Sequence, residues 1–150
     1  MEKYIGVKII EAKPMNLGDY NNYKGWNIPE NEDPKRDGYL VKYSDNYISW
    51  SPREAFEDAY RKTNELTFGL AIEALRMGKK VARLGWNGKG MFVYYVPPNV
   101  YATIVEVAKQ EFGDSVLFNA YLAIKNVNGT VSTWVPSIND VLSADWQIVE

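Results

Sequence analysis

A glycine-rich turn between two predicted strands constrains this chain more than any other feature. Residues 79–97 run KKVARLGWNGKGMFVYYVP, with three glycines in the six residues from Gly85 to Gly90. Glycine accepts positive φ angles and leaves backbone N–H groups accessible to a ligand. Trp86 lies inside the turn, so it either folds back onto the core, which is the simpler interpretation, or offers a flat aromatic surface. The turn is not a Walker loop, because it lacks the Gly-x-x-x-x-Gly-Lys-Ser/Thr pattern. It is not a dinucleotide fingerprint, because it lacks Gly-x-Gly-x-x-Gly.

The absence of cysteine and histidine limits the chemistry of the whole chain. It excludes disulfide bonds, thiol nucleophiles, histidine bases and zinc held by Cys or His. A metal would have only oxygen ligands. A hydrolase with a pair of carboxylates stays an alternative, but the spacing of Glu73, Asp140 and Asp145 brings no two carboxylates together. We therefore expect a protein that is not an enzyme, with no catalytic residues, no metal and no cofactor.

The net charge of −2 argues against nucleic-acid binding, yet the basic residues cluster locally. No acidic residue occurs between Glu73 and Glu106. This interval suits a small anion such as a pyrophosphate, although basic residues are also common at solvated helix ends. The chain shows no signal sequence and no membrane-spanning apolar run, so we expect no membrane partner and a cytosolic location. The clustered basic residues are Arg76, Lys79, Lys80, Arg83 and Lys89.

The first 62 residues predict a small α+β region. Residues 4–10 are rich in β-branched side chains and predict a strand, whereas the polar residues 12–34 predict a loop. Ser44-Asp45-Asn46 predicts a hairpin turn between strands 39–43 and 47–50. Ser51 and Glu54 have the spacing of a capping box, with Pro52 at the first helical position, which predicts a helix to about residue 62.

Residues 63–150 predict a second α+β domain. An apolar stripe from Phe68 to Leu75 predicts a helix ended by Gly78, and Asn128-Gly129 is a strong hairpin signal. Residues 99–112 predict a helix between Asn99 and Gly113. Overall we expect an α+β fold of small antiparallel sheets built from hairpins with packed helices. The other predicted elements are strands 80–84, 91–96, 121–127, 130–135 and 144–149, and a short helix 137–142 capped by Ser137.

Three features are predicted to converge on one binding site. They are the glycine-rich turn, the residues that follow the second hairpin, and the acidic segment from Asp140 to Asp145. Together they offer aromatic faces for a base, amides and hydroxyls for ribose, and cations for phosphate. Either aspartate could accept hydrogen bonds from a pair of ribose hydroxyls. Alternatively, Asp145 caps a strand, and Trp146 is a core residue. From the residues alone, the candidates include Trp86, Asn87, Lys89, Trp134, Pro136, Ser137, Asp140 and Asp145.

Four blocks of the second domain resemble the phage Thoeris anti-defence proteins of the second type. They are FGLAIEALRMGKKVAR, LGWNGKGMFVYYVP, AYLAIKNVNGTVSTWVPS and NDVLSADWQIV, and they span residues 66–149. Residues 99–113 form no matching block, and residues 1–62 resemble an N-terminal extension of unknown role. The resemblance implies an α+β fold in a homo-oligomer, a dimer or tetramer.

The resemblance also implies a function. Proteins of this family are sponges, which sequester the cyclic ADP-ribose isomer made by bacterial TIR-domain proteins in pockets between protomers. It implies action in the cytoplasm of the infected bacterial host. The alternatives are a phage accessory protein-interaction module and a sponge for other cyclic nucleotides. The ligand-binding positions implied by the resemblance are Trp86, Asn87, Gly88, Trp134, Pro136 and Asp145, with Arg83 as a weaker phosphate candidate.

Overall fold

The computed structural model describes all residues from Met1 to Glu150, and it confirms the predicted α+β class. Five helices and ten strands form two compact units, Met1–Arg61 and Lys62–Glu150. Every pair of neighbouring strands is antiparallel, and short hairpins connect β2 to β3, β4 to β5 and β8 to β9. No helix is both long enough and apolar enough to cross a lipid bilayer.

The first unit is a three-stranded sheet with two short helices. The strand order is β1-β2-β3, and the predicted hairpin between β2 and β3 is confirmed, with Asn46 at a φ of 66° in its turn. Its buried hydrophobic side chains are Tyr20, Leu40 and Val41. The elements are β1 (Glu11–Pro14), α1 (Leu17–Lys24), β2 (Gly38–Lys42), β3 (Ile48–Pro52) and α2 (Arg53–Ala59).

Three predictions for the first unit are wrong. Residues 4–10 form no strand, because no other segment pairs with them. The predicted loop 12–34 contains most of β1 and all of α1, whose N-cap Asn16 accepts a hydrogen bond from the N–H of Asp19 at 2.7 Å. Helix α2 exists, but Ser51 belongs to β3 and makes no side-chain cap.

The second unit is a five-stranded sheet covered by one amphipathic helix. The strand order is β10-β4-β5-β8-β9. The predicted hairpins β4–β5 and β8–β9 are confirmed, and Gly129 has a φ of 84° in the second turn. The elements of this sheet and its helices are α3 (Phe68–Arg76), β4 (Lys80–Arg83), β5 (Phe92–Val96), β8 (Tyr121–Lys125), β9 (Val131–Trp134), α5 (Ile138–Leu142) and β10 (Trp146–Val149).

The core of this unit lies between α3 and the sheet. Thr67 caps α3, and Gly78 follows its end at a φ of 81°, as predicted. Trp146, the largest fully buried side chain, donates its indole N–H to the carbonyl of Asp140 at 2.8 Å. The buried cluster consists of Leu66, Ala71, Ala74, Leu75, Val81, Val93, Ile124 and Trp146.

The predicted helix over residues 99–112 is wrong in its first part. Asn99–Ala102 is a strand, β6, and not the start of a helix; it pairs with β7 (Ser115–Phe118) in a separate two-stranded sheet. Helix α4 covers only Glu106–Phe112, between those strands. We call residues 99–118 the arm. Most of its apolar side chains are exposed, and they include Val100, Ile104, Val105, Val107, Phe112, Leu117 and Phe118.

Candidate functional site

Three tryptophans form the base of the candidate site. The ring centroids of Trp86 and Trp146 are 5.4 Å apart, those of Trp134 and Trp146 are 5.9 Å apart, and those of Trp86 and Trp134 are 6.2 Å apart. All three pairs meet edge to face, the arrangement that the indole quadrupoles favour. Trp146 is fully buried, whereas the other two remain half-buried. The cluster therefore fixes Trp86 in the loop by packing it against the core.

A second contact fixes the loop electrostatically. Arg83, the last residue of β4, donates from Nε to Asp145 at 2.9 Å and from a terminal nitrogen to Asp140 at 3.0 Å. The side chain of Arg83 is 19% exposed, so these ion pairs are shielded from water. The hydrogen bonds that Arg83 donates to Asp145 and then to Asp140 raise the pKa of Arg83. Both carboxylates are thus bound to one internal cation, so the expectation that no two carboxylates come together is wrong for Asp140 and Asp145.

Asp140 has a second structural role at the start of α5. Ser137 caps this helix as predicted, since its hydroxyl accepts from the N–H of Asp140 at 3.1 Å. In return, the Asp140 carboxylate accepts from the Ser137 N–H at 2.9 Å, which completes a capping box. Burial alone would raise the pKa of Asp140, but hydrogen bonds from Ser137, Arg83 and Trp86 outweigh it and lower that pKa.

Asp145 connects the Arg83 ion pair to the glycine-rich loop. Its carboxylate accepts from the backbone N–H of Gly85 at 2.9 Å. The Arg83 guanidinium, and to a lesser extent this N–H, lower the pKa of Asp145. A Cβ on Gly85 would lie 3.0 Å from the same carboxylate, and a Cβ on Gly88 would overlap Met91 Sδ and lie 2.5 Å from Val127 Cγ2. A methyl group would therefore press on the Asp145 carboxylate at Gly85, and would displace Met91 or Val127 at Gly88.

The remainder of the loop is open to a ligand. The backbone N–H groups of Asn87, Gly88, Lys89 and Gly90 donate to no acceptor within the protein. Gly90 has a φ of 74°, which only glycine adopts without strain. Four free N–H groups in succession, next to an exposed lysine, form a surface that is suited to an anion.

A groove of about 270 Å³ runs beside this loop. Four of the predicted site residues line it, namely Arg83, Trp86, Gly88 and Lys89. The guanidinium of Arg83 is directed to its two aspartates, so the groove's unpaired cation is Lys89. The remaining lining residues are Ala82, Leu84, Gly90, Met91, Gln147 and Val149.

The other predicted site residues support the groove or lie apart from it. Asp140 and Asp145 hold Arg83, Trp134 packs under Trp86, and Ser137 caps α5. Asn87 is exposed on the loop, and Pro136 is half-buried after β9. The structure thus brings the three predicted features together, but it uses most of their polar side chains internally.

Sequence reasoning missed Gln147, the neutral polar side chain that lines the groove. Gln147 pairs with Ala82 in the ladder between β10 and β4. Because side chains alternate along a strand, burial of Trp146 places Gln147 on the opposite face. The signal was therefore present in the predicted strand 144–149, once Trp146 was assigned to the core.

Comparison with known proteins places this domain in a family. Residues 66–149, more than half of the chain, match the model of the Thoeris anti-defense 2-like domain. The chain belongs to the Thoeris anti-defense 2-like family. It is similar to the protein Thoeris anti-defense 2 of Bacillus phage SP01, with 36% identity over 85 residues that cover 57% of this chain and 96% of the phage protein.

The family match confirms the resemblance of residues 66–149 and runs through the segment 99–113 as well. Membership in the Thoeris anti-defense 2-like family supports a phage anti-defence role. The groove, the free loop amides and the tryptophan cluster all lie within the matched residues. Residues 1–65 lie outside the match.

Proposed function

We propose that this protein is an anti-defence sponge that binds the cyclic ADP-ribose isomer made by bacterial TIR-domain proteins and holds it without degrading it. One observation carries the proposal. A family member of this kind presents four free backbone N–H groups beside Lys89, in a loop fixed by Trp86 and Asp145. A pyrophosphate needs donors of this type in a fixed arrangement, because preorganised donors lose little entropy on binding.

Each part of the ligand has a suitable group in the groove. The Lys89 side chain and the backbone amides of residues 88–90 suit the phosphates, and the Gln147 amide suits a ribose hydroxyl or a base edge. The half-buried ring of Trp86 supplies an aromatic surface for the base. Arg83 acts as a positioning residue, since its guanidinium holds Asp140 and Asp145.

The groove of one chain is small for such a ligand. Its volume of about 270 Å³ lies below the roughly 300–1,000 Å³ of typical small-molecule pockets. A second copy of the chain would enlarge it, as in a homo-oligomer with pockets between protomers. The exposed apolar side chains of the arm provide surface for such a dimer or tetramer, because patches of this kind mark interfaces.

Sequestration without turnover agrees with the available side chains. The chain has no histidine and no cysteine, which are the commonest proton-transfer and nucleophilic groups. The two aspartates nearest the groove are held ionised by Arg83, so neither is poised as a general acid near neutral pH. We propose that the protein is not an enzyme and acts in the cytoplasm of the infected host.

Calorimetric titration with the TIR-derived cyclic ADP-ribose isomer tests this function. We expect saturable binding, followed by recovery of intact ligand after heat denaturation and chromatography. A sponge must outcompete the effector for a scarce signal, and nanomolar affinity corresponds to about −12 kcal/mol. Lys89→Ala is expected to weaken binding at least roughly tenfold through loss of a charge-assisted contact. The matched control Lys35→Ala, in an exposed turn of the first unit, should bind normally.

Two results would contradict the proposal. A converted ligand after incubation would indicate an enzyme. Absence of binding to this isomer, together with binding of a cyclic dinucleotide, would leave a sponge but change its ligand class.

The exposed arm also favours a second candidate, a phage accessory module that binds another protein. That function predicts no cyclic nucleotide binding and a stoichiometric complex that Ile104→Glu disrupts. Ile104 is 89% exposed, so this substitution should leave the fold intact. Loss of self-association in the same variant, with ligand binding also reduced, would instead support the oligomeric sponge.

A further inference from the structure

The N-terminal segment is a strand-forming sequence without a partner. Residues 1–10 form no helix or strand and no backbone hydrogen bond with the remainder of the chain. The apolar side chains are exposed, with Tyr4 at 85% and Ile5 at 96%. Yet YIGVKII is rich in the β-branched and aromatic residues that favour strands. In a single chain, the backbone groups of this segment therefore have solvent and not protein as their partner, and most of its apolar side chains stay exposed.

The segment continues into a free sheet edge. It leads directly into β1 (Glu11–Pro14), which pairs with β2 on one side only. The outward edge of β1 therefore carries unpaired backbone groups along the same line of chain. Such an edge is a template for an added strand from another molecule.

The sequence of the segment is complementary to itself. In an extended chain, alternate residues share one face, and here that face carries Lys3, Ile5, Val7, Ile9 and Glu11. If two copies pair antiparallel about Val7, each Ile5 lies opposite Ile9 of the partner subunit. Each Lys3 then lies opposite Glu11 of the partner subunit. A two-fold interface requires this self-complementarity.

Neighbouring registers are less favourable. Centring the ladder on Lys8 places two lysines directly opposite each other, which is destabilising. Centring it on Gly6 places Lys3 opposite Ile9, so a charge faces an apolar side chain. Glu11 also lies 3.5 Å from Lys42 on β2, and both side chains are exposed. In the Val7 register its carboxylate therefore lies between two lysines.

We propose that residues 3–11 are a self-association site, at which a second copy of this chain adds an antiparallel strand in a register centred on Val7. The two three-stranded sheets are then connected through this added pair of strands, in which Glu11 is the one residue of β1 that takes part. The inference uses residues outside the family match and is independent of the proposed ligand.

Cysteine cross-linking in the full chain tests the register, because the natural sequence has no cysteine. Val7→Cys places two thiols on the two-fold axis, within reach of a disulfide. We expect a covalent dimer on mild oxidation. The matched control Ile9→Cys places its two thiols four residues apart, about 14 Å, which exceeds the roughly 7 Å limit. It should not cross-link alone, but it should form a mixed dimer with Ile5→Cys.

Two patterns would overturn the proposal. One is the absence of a Val7→Cys dimer. The other is equal cross-linking of Val7→Cys and Ile9→Cys, which would indicate random collision of the segments.

Charge reversal gives a second readout in the Val7→Cys background. Lys3→Glu and Glu11→Lys should each lower the extent of cross-linking, roughly tenfold, because like charges then face each other in two symmetric pairs. The double variant Lys3→Glu with Glu11→Lys should restore it. Failure of the double variant to recover would contradict the Lys3–Glu11 pairing.

Discussion

Arg83 Nε donates to Asp145 Oδ1 at 2.9 Å, although the two residues are 62 positions apart in the chain. Arg83 ends β4, and Asp145 directly precedes its partner strand β10. The same carboxylate accepts from the N–H of Gly85, so one side chain holds both the strand end and the first residue of the glycine-rich loop. This arrangement positions Gly88, Lys89 and Gly90, whose backbone amides are free, at the groove.

Removal of the Asp145 carboxylate should therefore destabilise the second unit. Asp145→Ala leaves Arg83 with one partner and the Gly85 N–H with none, and we expect a loss of about 2–4 kcal/mol in the free energy of unfolding. Asp145→Asn retains an acceptor for Gly85 and should cost less. Denaturant titration measures both variants. Asp114→Ala is a control at an exposed aspartate, and an equal effect there would contradict the argument.

The stability of this unit should also fall in acid. The pKa of Asp145 and that of Asp140 both lie below the ordinary value in the folded protein. The unfolded chain therefore binds more protons as pH falls through the ordinary aspartate range, so the contribution of both groups is complete above about pH 5 and decreases towards pH 3 and below. Arg83 stays charged throughout.

The comparison with Asp145→Asn isolates this contribution. The difference in unfolding free energy between the natural protein and the variant should be largest near pH 6 and smaller at pH 3. Other groups whose pKa is lowered in the folded protein, such as Glu57, contribute equally to both proteins, so their contributions cancel in that difference. A gap that stays constant with pH would show that the ionised form of Asp145 is not favoured by folding.

Gly88→Ala should be destabilising for a steric reason. The added methyl group would overlap Met91 Sδ and Val127 Cγ2, so the loop or the neighbouring hairpin must shift. Overpacking of this kind costs about 1–3 kcal/mol. Gly69→Ala is the matched control in α3, where the new Cβ has 3.9 Å to its nearest neighbour, Thr67 Oγ1. It should be neutral or slightly stabilising. Thermal unfolding of both variants checks the contrast.

The tight turns with positive φ and the end of α3 were the part of the fold that the sequence predicted well. The hairpins at Asn46 and Gly129 follow from residues that accept positive φ, and the end of α3 follows from Gly78. The prediction for residues 99–112 was wrong in its first part, because the apparent cap at Asn99 outweighed the β-branched run from Thr103 to Val105, whereas Gly113 does end α4 as predicted. Pairing of β6 with β7 decided that segment instead.

The candidate site shows the same division. The convergence of the loop, the second hairpin and the acidic segment was predicted from their residue types. The loop follows β4 and the acidic segment precedes its neighbour β10, whereas β9 lies at the opposite edge of the sheet. The pairing of Arg83 with both aspartates could not be predicted, because the partners are 57 and 62 positions away and no local pattern selects them. The structure was therefore needed to distinguish the residues that stay available to a ligand from those that hold the loop.

Two serines provide the last prediction, since both were expected to cap helices. Ser137 makes a capping box with Asp140, whereas Ser51 lies in β3 and α2 has no side-chain cap. Ser137→Ala should cost about 1 kcal/mol in unfolding free energy and speed amide exchange in α5. Ser51→Ala should change the unfolding free energy by no more than about 0.5 kcal/mol, and amide exchange in α2 should stay unchanged. Hydrogen exchange of the two helices measures this directly, and equal effects of the two substitutions would contradict the capping assignment.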